Sequence, residues 1–289
     1  MHHSVTLFGA GGVRFLDSIY PLVEELRASN ARYAWMETAK FEALATQDNA
    51  AGMSIYWSEI LGRAHLAAVA SVIRSYQWCA GMNACYEAQL FLPYCASFRG
   101  LLESVADTHD SLSNVALTLA RNHVDIERAL FGTLETILVS SELENALIHF
   151  AFARRVGKAS TSSPTHIAKT AADYLRSVVS IAPFDVNALY GELCQLTHPA
   201  APTVHYLLDH QNGETAVLSA NREKMFIEKF ASANEEVFPW LLMYSFNSSI
   251  LLLKVLRFFN RPDYHVRHVE RMSAESIPAW KTIAAHFAK

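Results

Sequence analysis

Apolar residues recur at intervals of three and four along most of the chain, a spacing that places them on one face of an α-helix. The clearest run covers about 54–79, and two further runs cover about 86–107 and 112–139. Ser140 and Ser141 then offer an N-cap to another helical segment. These patterns predict an all-α protein.

Weaker patterns predict the remaining helices. Two shorter helices are expected within 15–44, broken near Ser29 and Asn30. The other helices are predicted at about 165–179, 185–197, 221–259 and 278–287. Pro239 is expected to bend the 221–259 helix, and Pro262 is expected to end it.

One segment carries a strand pattern. Short apolar runs at 204–209 and 215–218 flank Asn212 and Gly213, and Asn-Gly is the strongest signal for a two-residue hairpin turn. We therefore expect one small β-hairpin inserted near 204–218.

These elements suggest a single up-down bundle of about eight to ten helices, forming one domain over residues 1–289. Residues 1–12 are expected to be a flexible N-terminal segment. The small, polar stretch 157–164, which ends in Pro164, is the clearest loop. It can join two domains or cross over within one bundle, and the similar character of the two halves favours the crossover.

Composition narrows the class of protein. Apolar residues make up 51% and charged residues 18%, which excludes disorder as the main state. The net charge of −4 disfavours RNA as a partner and argues against a dedicated nucleic-acid binder.

The core is expected to contain three of the tryptophans, Trp57, Trp78 and Trp240.

One stretch, 237–253, has no charged residue. It is shorter than the about 20 residues of a spanning helix and contains Pro239 and several polar residues. It is therefore predicted to be a buried central helix, and no membrane association is expected.

The cysteines and the N-terminus indicate the compartment. Cys79, Cys85, Cys95 and Cys194 form no C-x-x-C pair and are expected to be reduced thiols. The N-terminus has no basic stretch followed by a long apolar one, as a secretory signal would. We expect a cytoplasmic protein.

The common cofactor and metal motifs do not fit. Val5–Phe8 followed by Gly9–Gly12 looks like a strand and a phosphate loop, but Arg14 stands where the dinucleotide fingerprint requires glycine. The chain also has no E-x-x-H of the kind that binds di-iron in helical bundles. We therefore expect neither a cofactor nor a metal.

Two segments carry candidate chemistry. Arg99 and Glu103 lie four residues apart, so they share a helix face and can pair. Tyr190 lies on a later helix that His198 ends, because Pro199 keeps the preceding residue out of the α region. The carbonyl groups at that helix end favour a protonated imidazole.

The two segments resemble a broad bacterial family of helical proteins of unassigned function, which has an R-x-L-L-E helix and a later Y-x-x-L-x-x-x-x-H-P helix end. The resemblance covers about 54–199. The family is similar in outline to HEPN-type helical domains, many of which are RNases or accessory parts of toxin and phage-defence systems. The resemblance implies a helical bundle in which Arg99, Glu103, Tyr190 and His198 meet.

The nuclease motif of the HEPN group is arginine, four to six residues, and then histidine. Arg261 and His268 alone have this spacing, and Arg261 directly precedes Pro262 in a predicted break between helices. This departure from the family pattern counts against RNase activity.

Two functions remain as hypotheses. The first is an interaction or accessory module of a bacterial stress or defence system, expected to form a homodimer or to bind another protein. The alternative is a metal-independent RNase in which His198 is the general acid or base, Arg99 steadies the phosphate and Glu103 completes the group. A basic groove around Arg63, Arg74 and Arg99 would support the RNase. Arg99, Glu103 and His198 can also form a purely structural polar network.

Overall fold

The computed structural model describes residues 3–156, 162–211, 215–219 and 221–288. It confirms an all-α fold with one small β-hairpin. The helices are α1 (Val5–Ala28), α2 (Thr38–Gln47), α3 (Asn49–Glu87), α4 (Phe91–Leu112), α5 (Val115–Arg121), α6 (His123–Leu130), α7 (Ser141–Phe152), α8 (Ala171–Val179), α9 (Val186–Thr197), α10 (Pro202–His205), α11 (Glu223–Ala233), α12 (Val237–Leu256), α13 (Arg267–Arg271) and α14 (Pro278–Ala284). Short 3-10 turns occupy Pro164–His166 and Pro262–Tyr264.

The chain divides into two compact units, each built from three segments. Unit 1 consists of Met1–Val23, Ile73–Asp107 and Thr170–Ser245. Unit 2 consists of Glu24–Val72, Thr108–Lys169 and Phe246–Lys289. The single domain and its up-down order stay predictions.

The longest helix is α3, with 39 residues. Its apolar positions Trp57, Ile60, Leu61, Ala64 and Ala68 are all buried, at the helical spacing seen in the sequence. Burial of such a stripe is what stabilises a long helix in water.

Gly100 lets a large ring approach the backbone of α4 in unit 1. A Cβ at Gly100 would lie only 2.7 Å from Cε2 of Trp78 on α3. The indole Nε1 of Trp78 donates to the Ser104 hydroxyl at 3.0 Å. The absence of a side chain at Gly100 therefore leaves room for the Trp78 ring. Trp78 is 36% exposed, so the prediction that it lies in the core was wrong. Trp57 and Trp240 are buried, as predicted.

Unit 2 contains a stack of aromatic rings. Tyr33 stacks on Trp35 and on Tyr264, with centroid distances of 6.1 and 6.4 Å. His65 stacks on Tyr264 at 4.8 Å, and its Nδ1 shares a 2.8 Å hydrogen bond with the Tyr33 hydroxyl. Burial lowers the pKa of His65 to about 4.

The prediction of a flexible N-terminal segment was wrong. Val5 begins α1, and Leu7 and Phe8 are buried in the core. Gly9 has a φ of 66° within this helix, a conformation that glycine adopts without strain, and it kinks α1 there. Burial of two large apolar side chains outweighs the poor helix propensity of the glycine-rich sequence.

Several predicted helices are divided, so the described helices outnumber the predicted eight to ten. Within the run predicted as a helix over 112–139, the last helix ends at Leu130, and an irregular segment follows as far as Ser140. The 221–259 helix breaks at 234–236 into α11 and α12. Pro239 lies in the first turn of α12, where a missing N–H leaves no helical hydrogen bond unmade, so it does not cause the break.

The hairpin is shorter than expected. Strands β1 (Leu208–Gln211) and β2 (Thr215–Leu218) pair in antiparallel fashion, with Leu208 opposite Leu218. Residues 202–205 form α10 instead of the start of a strand, since Pro202 favours a first helical turn. Asn212 and Gly213 lie outside the described residues, as does most of the predicted loop 157–164.

Within the described ranges, α12 is the one helix long and apolar enough to cross a membrane. The most apolar window of this helix is 72% buried inside the protein. Such burial is typical of a core helix, as the sequence predicts. Cys79 and Cys95 are buried thiols, and Cys85 and Cys194 are half-buried free thiols.

Candidate functional site

The candidate residues lie on α4 and α9 of unit 1. Asp185 caps the start of α9 by accepting hydrogen bonds from the backbone N–H groups of Asn187 and Ala188, each at 3.0 Å. His198 ends the helix with extended dihedrals, as its position before Pro199 predicts. The helix thus presents Tyr190 from its middle and His198 from its C-terminal end.

Arg99 is the centre of the group. Its Nε donates to Glu103 Oε1 at 2.9 Å, and its Nη2 donates to the Tyr190 hydroxyl at 3.1 Å. Nη1 lies 3.0 Å from both Thr197 Oγ1 and His198 Nε2. The guanidinium therefore uses all three of its nitrogens within the protein.

A second contact closes the group. The Tyr190 hydroxyl donates to Glu103 Oε1 at 2.9 Å. The Arg99 guanidinium also lies 5.2 Å from the centroid of the Tyr190 ring, within cation–π range. Partial burial, and then the bond to Glu103, raises the pKa of Tyr190 to about 12. Tyr190 therefore stays protonated at neutral pH and acts as a hydrogen-bond donor.

The Arg99 charge is stabilised by these neighbours. Partial burial by itself lowers the pKa of Arg99, but the Glu103 carboxylate and the Tyr190 hydroxyl outweigh it and leave the pKa above its ordinary value. Arg99 is a permanent cation here.

His198 contacts the Arg99 guanidinium through its Nε2 atom. An arginine can only donate, so His198 Nε2 accepts the bond from Nη1 and carries no proton. The imidazole itself is exposed to solvent.

Thr197 belongs to the group but was not predicted. Besides accepting from Arg99, its hydroxyl donates to the Leu193 carbonyl at 2.8 Å within α9. The only signal in the sequence is its position directly before His198, in the last turn of the same helix.

The other arginines considered as a basic groove are paired with carboxylates. Arg63 pairs with Glu59 at 3.2 Å in unit 2, and Arg74 pairs with Asp107 at 2.7 Å in unit 1. Each arginine of the expected groove, Arg99 included, thus has an acidic partner that reduces its attraction for phosphate.

The HEPN-like spacing lies in unit 2, away from the candidate residues in the chain. Arg261 donates to the Ser58 hydroxyl. The backbone N–H of His268 donates to Glu25 Oε2 at 2.8 Å. Across the described ranges, no group of three or more His, Cys, Asp or Glu side chains is placed to hold a metal ion.

No family model, curated protein or solved structure matches this chain. The resemblance to HEPN-type domains therefore rests on the Arg99–Glu103 and Tyr190–His198 motifs alone.

Proposed function

We propose that this chain is a non-catalytic helical module that acts through protein contacts, as expected of a cytoplasmic accessory protein in a bacterial stress or defence system. The observation that carries the proposal is the closed hydrogen-bond network of Arg99. Its guanidinium is held by Glu103, Tyr190, Thr197 and His198. Such a network fixes the register of α4 against α9.

The network opposes phosphate chemistry in two ways. A phosphate at Arg99 would compete with the carboxylate of Glu103, which is 2.9 Å from Nε. His198 Nε2 would have to leave Arg99 before it could move a proton. RNA cleavage would therefore require breaking the bonds of Arg99 to Glu103 and to His198. The Arg99 network is better suited to stabilising the fold than to cleaving RNA.

Exposed apolar side chains support a role in protein contacts. Phe131 is 62% exposed and Ile137 is 70% exposed, and Val139 follows in the same irregular segment of unit 2. Several large apolar side chains exposed within one short segment are typical of a contact surface. We propose that a second copy of the chain covers this segment, giving a homodimer.

Sedimentation velocity tests the contact. Ile137→Asp should shift the sedimentation coefficient from dimer to monomer, since a buried unpaired carboxylate is costly. Asn145→Asp, which adds the same charge at an exposed position of α7 outside the segment, should leave the dimer intact. A monomeric wild type would contradict the homodimer, and another protein partner would then be the remaining form of the proposal.

One observation favours the alternative, a metal-independent RNase that uses His198 with Arg99 and Glu103. The His198 ring is exposed beside a cation, where it can meet a substrate. An assay with single-stranded RNA separates the two functions. We expect no cleavage by the wild type, and His198→Ala should change only thermal stability. Cleavage that disappears in His198→Ala would replace our proposal with the RNase.

A further inference from the structure

Unit 2 contains a cavity of about 530 Å³ that the proposed function does not use. This volume lies within the range of small-molecule sites. Residues from the end of α1, from α3, and from α13 and the segment before it line the cavity. Its charged side chains are two carboxylates and two arginines, Glu25, Asp263, Arg267 and Arg271.

His65 lines the cavity and is almost fully buried, with 2% of its surface exposed. Its Nδ1 shares a 2.8 Å hydrogen bond with the Tyr33 hydroxyl, and its ring stacks on Tyr264. The two nitrogens of an imidazole point in nearly opposite directions, so Nε2 points away from Tyr33. In the described part of the chain, Nε2 has no hydrogen-bond partner, yet it is not one of the polar atoms sealed off from solvent. It therefore faces the cavity.

Tyr33 prepares His65 as a hydrogen-bond donor. Burial raises the pKa of Tyr33 to about 12, so its hydroxyl stays protonated at neutral pH. Within the described ranges, His65 Nδ1 is the acceptor that this hydroxyl has. When the hydroxyl donates to Nδ1, the proton of the neutral imidazole is on Nε2. His65 then presents an uncharged N–H donor to the cavity.

Two arginines supply positive charge. Arg267 and Arg271 lie four residues apart on α13, so they share one face of that helix. Both side chains are exposed at the cavity, and neither has an ion pair or a hydrogen bond with the residues that the structure describes. Like charges at this spacing repel each other. An anion between them would remove the repulsion and bind their unused donors.

The lining carboxylates form no ion pair with these arginines. The two oxygens of Glu25 accept from the backbone N–H groups of Arg267 and His268, both at 2.8 Å. A ligand must therefore bind side chains, because Glu25 occupies the N-terminal end of α13. Asp263 is exposed and also has no ion pair among the described residues. The four formal charges cancel, so the unused donors, and not the net charge, decide which ligand fits.

We propose that this cavity binds the phosphate group of a small organic phosphate monoester. Such a group carries about two negative charges at neutral pH and three acceptor oxygens. Arg267 and Arg271 bind it through charge-assisted hydrogen bonds, and His65 Nε2 donates to a further oxygen. A carboxylate, with one charge and two oxygens, matches these donors less well. The rest of the cavity, lined in part by Leu26 and Val266, holds the organic part.

Isothermal titration of the full-length chain with glycerol phosphate tests the proposal. We expect saturable binding with a Kd below about 1 mM. Inorganic phosphate should bind more weakly, because it lacks the organic part, and acetate should bind at least about tenfold more weakly, because it has one charge.

Three results of this titration would overturn the proposal. The first is no saturable binding of glycerol phosphate at millimolar concentration. The second is equal or tighter binding of inorganic phosphate or of acetate, which would show that no phosphate monoester is selected. The third is tighter binding of a short single-stranded RNA, which would indicate a nucleic-acid contact instead.

Three variants locate the site. Arg267→Gln and Arg271→Gln each remove one cation and should weaken glycerol phosphate binding about tenfold. Asp263→Asn removes the opposing charge and should strengthen binding about threefold. Arg128→Gln makes the arginine change at an exposed position of unit 2 outside the cavity and should bind as the wild type does. Unchanged binding by both Arg267→Gln and Arg271→Gln would place the ligand elsewhere and overturn the proposal.

Discussion

Arg99 Nη1 lies 3.0 Å from His198 Nε2, and arginine is the only possible donor of the two. Together with the bond from Nη1 to Thr197, this bond joins α4 to the C-terminal end of α9. A histidine that looks like a catalytic base in the sequence is therefore an acceptor within a polar network.

Arg99 should matter more for stability than other paired arginines. Arg99→Met removes the bonds to four side chains and leaves Glu103 without its cation, so we expect a loss of roughly 2 kcal/mol in the free energy of unfolding. Urea unfolding followed by circular dichroism measures it. Arg176→Met removes an exposed ion pair with Asp173 and should cost less than about 0.5 kcal/mol. Equal losses for the two variants would contradict a special role for the Arg99 network.

Two glycines should respond in opposite directions to alanine. Gly100→Ala should destabilise the protein by roughly 1–3 kcal/mol, because the new methyl group would overlap the Trp78 ring. Gly191→Ala, inside α9 with no neighbouring atom within 4 Å, should stabilise it by about 0.5–1 kcal/mol through helix propensity. Thermal melting of both variants gives the signs, and a stabilising Gly100→Ala would refute the close packing of Trp78.

His65 should make stability depend on pH. Its pKa is lowered to about 4 in the folded protein, against about 6.5 in an unfolded chain, so the unfolded state binds more protons between these values. Stability should therefore fall as the pH falls from about 6.5 to about 4, by up to about 3 kcal/mol, and level off below. Urea unfolding across this range should show a smaller fall in His65→Gln, which cannot be protonated. The same pH dependence in both proteins would contradict the assignment.

Glu25 should stabilise the start of α13. Its two carboxylate oxygens accept from the backbone N–H groups of Arg267 and His268, both at 2.8 Å. Glu25→Gln replaces one acceptor with a donor and should cost about 1–2 kcal/mol of unfolding free energy. The neighbouring Glu24→Gln loses an exposed ion pair with Arg27 and should have a much smaller effect in the same urea titration. If the two variants were equally stable, the capping role would be wrong.

The sequence predicts well those elements whose evidence is local. The spacing of Trp57, Ile60, Leu61 and Ala64 indicates α3, because a buried stripe repeats with the period of the helix. Likewise, Pro199 places the end of α9 at His198. The prediction failed where distant contacts decide, as at Leu7 and Phe8, whose burial folds a glycine-rich stretch into a helix.

The same distinction holds for the candidate sites. Arg99 and Glu103 are visible in the sequence because four residues make one helical turn. Thr197 is 98 positions from Arg99 in the chain. It approaches Arg99 only because α4 and α9 pack together. Tyr33, His65 and Tyr264 form a stack without any shared motif, so no spacing rule can find them.

Trp78 makes the neighbourhood of Arg99 visible to spectroscopy. Its indole lies against the backbone at Gly100, one residue from Arg99, and its N–H is bonded to Ser104. The fluorescence emission of an indole shifts to longer wavelength when water reaches the ring. Separation of α3 from α4 would therefore shift the emission of Trp78 to longer wavelength. With phenylalanine at the other four tryptophans, this side chain becomes an intrinsic fluorescent reporter of whether α3 stays packed on α4 beside Arg99.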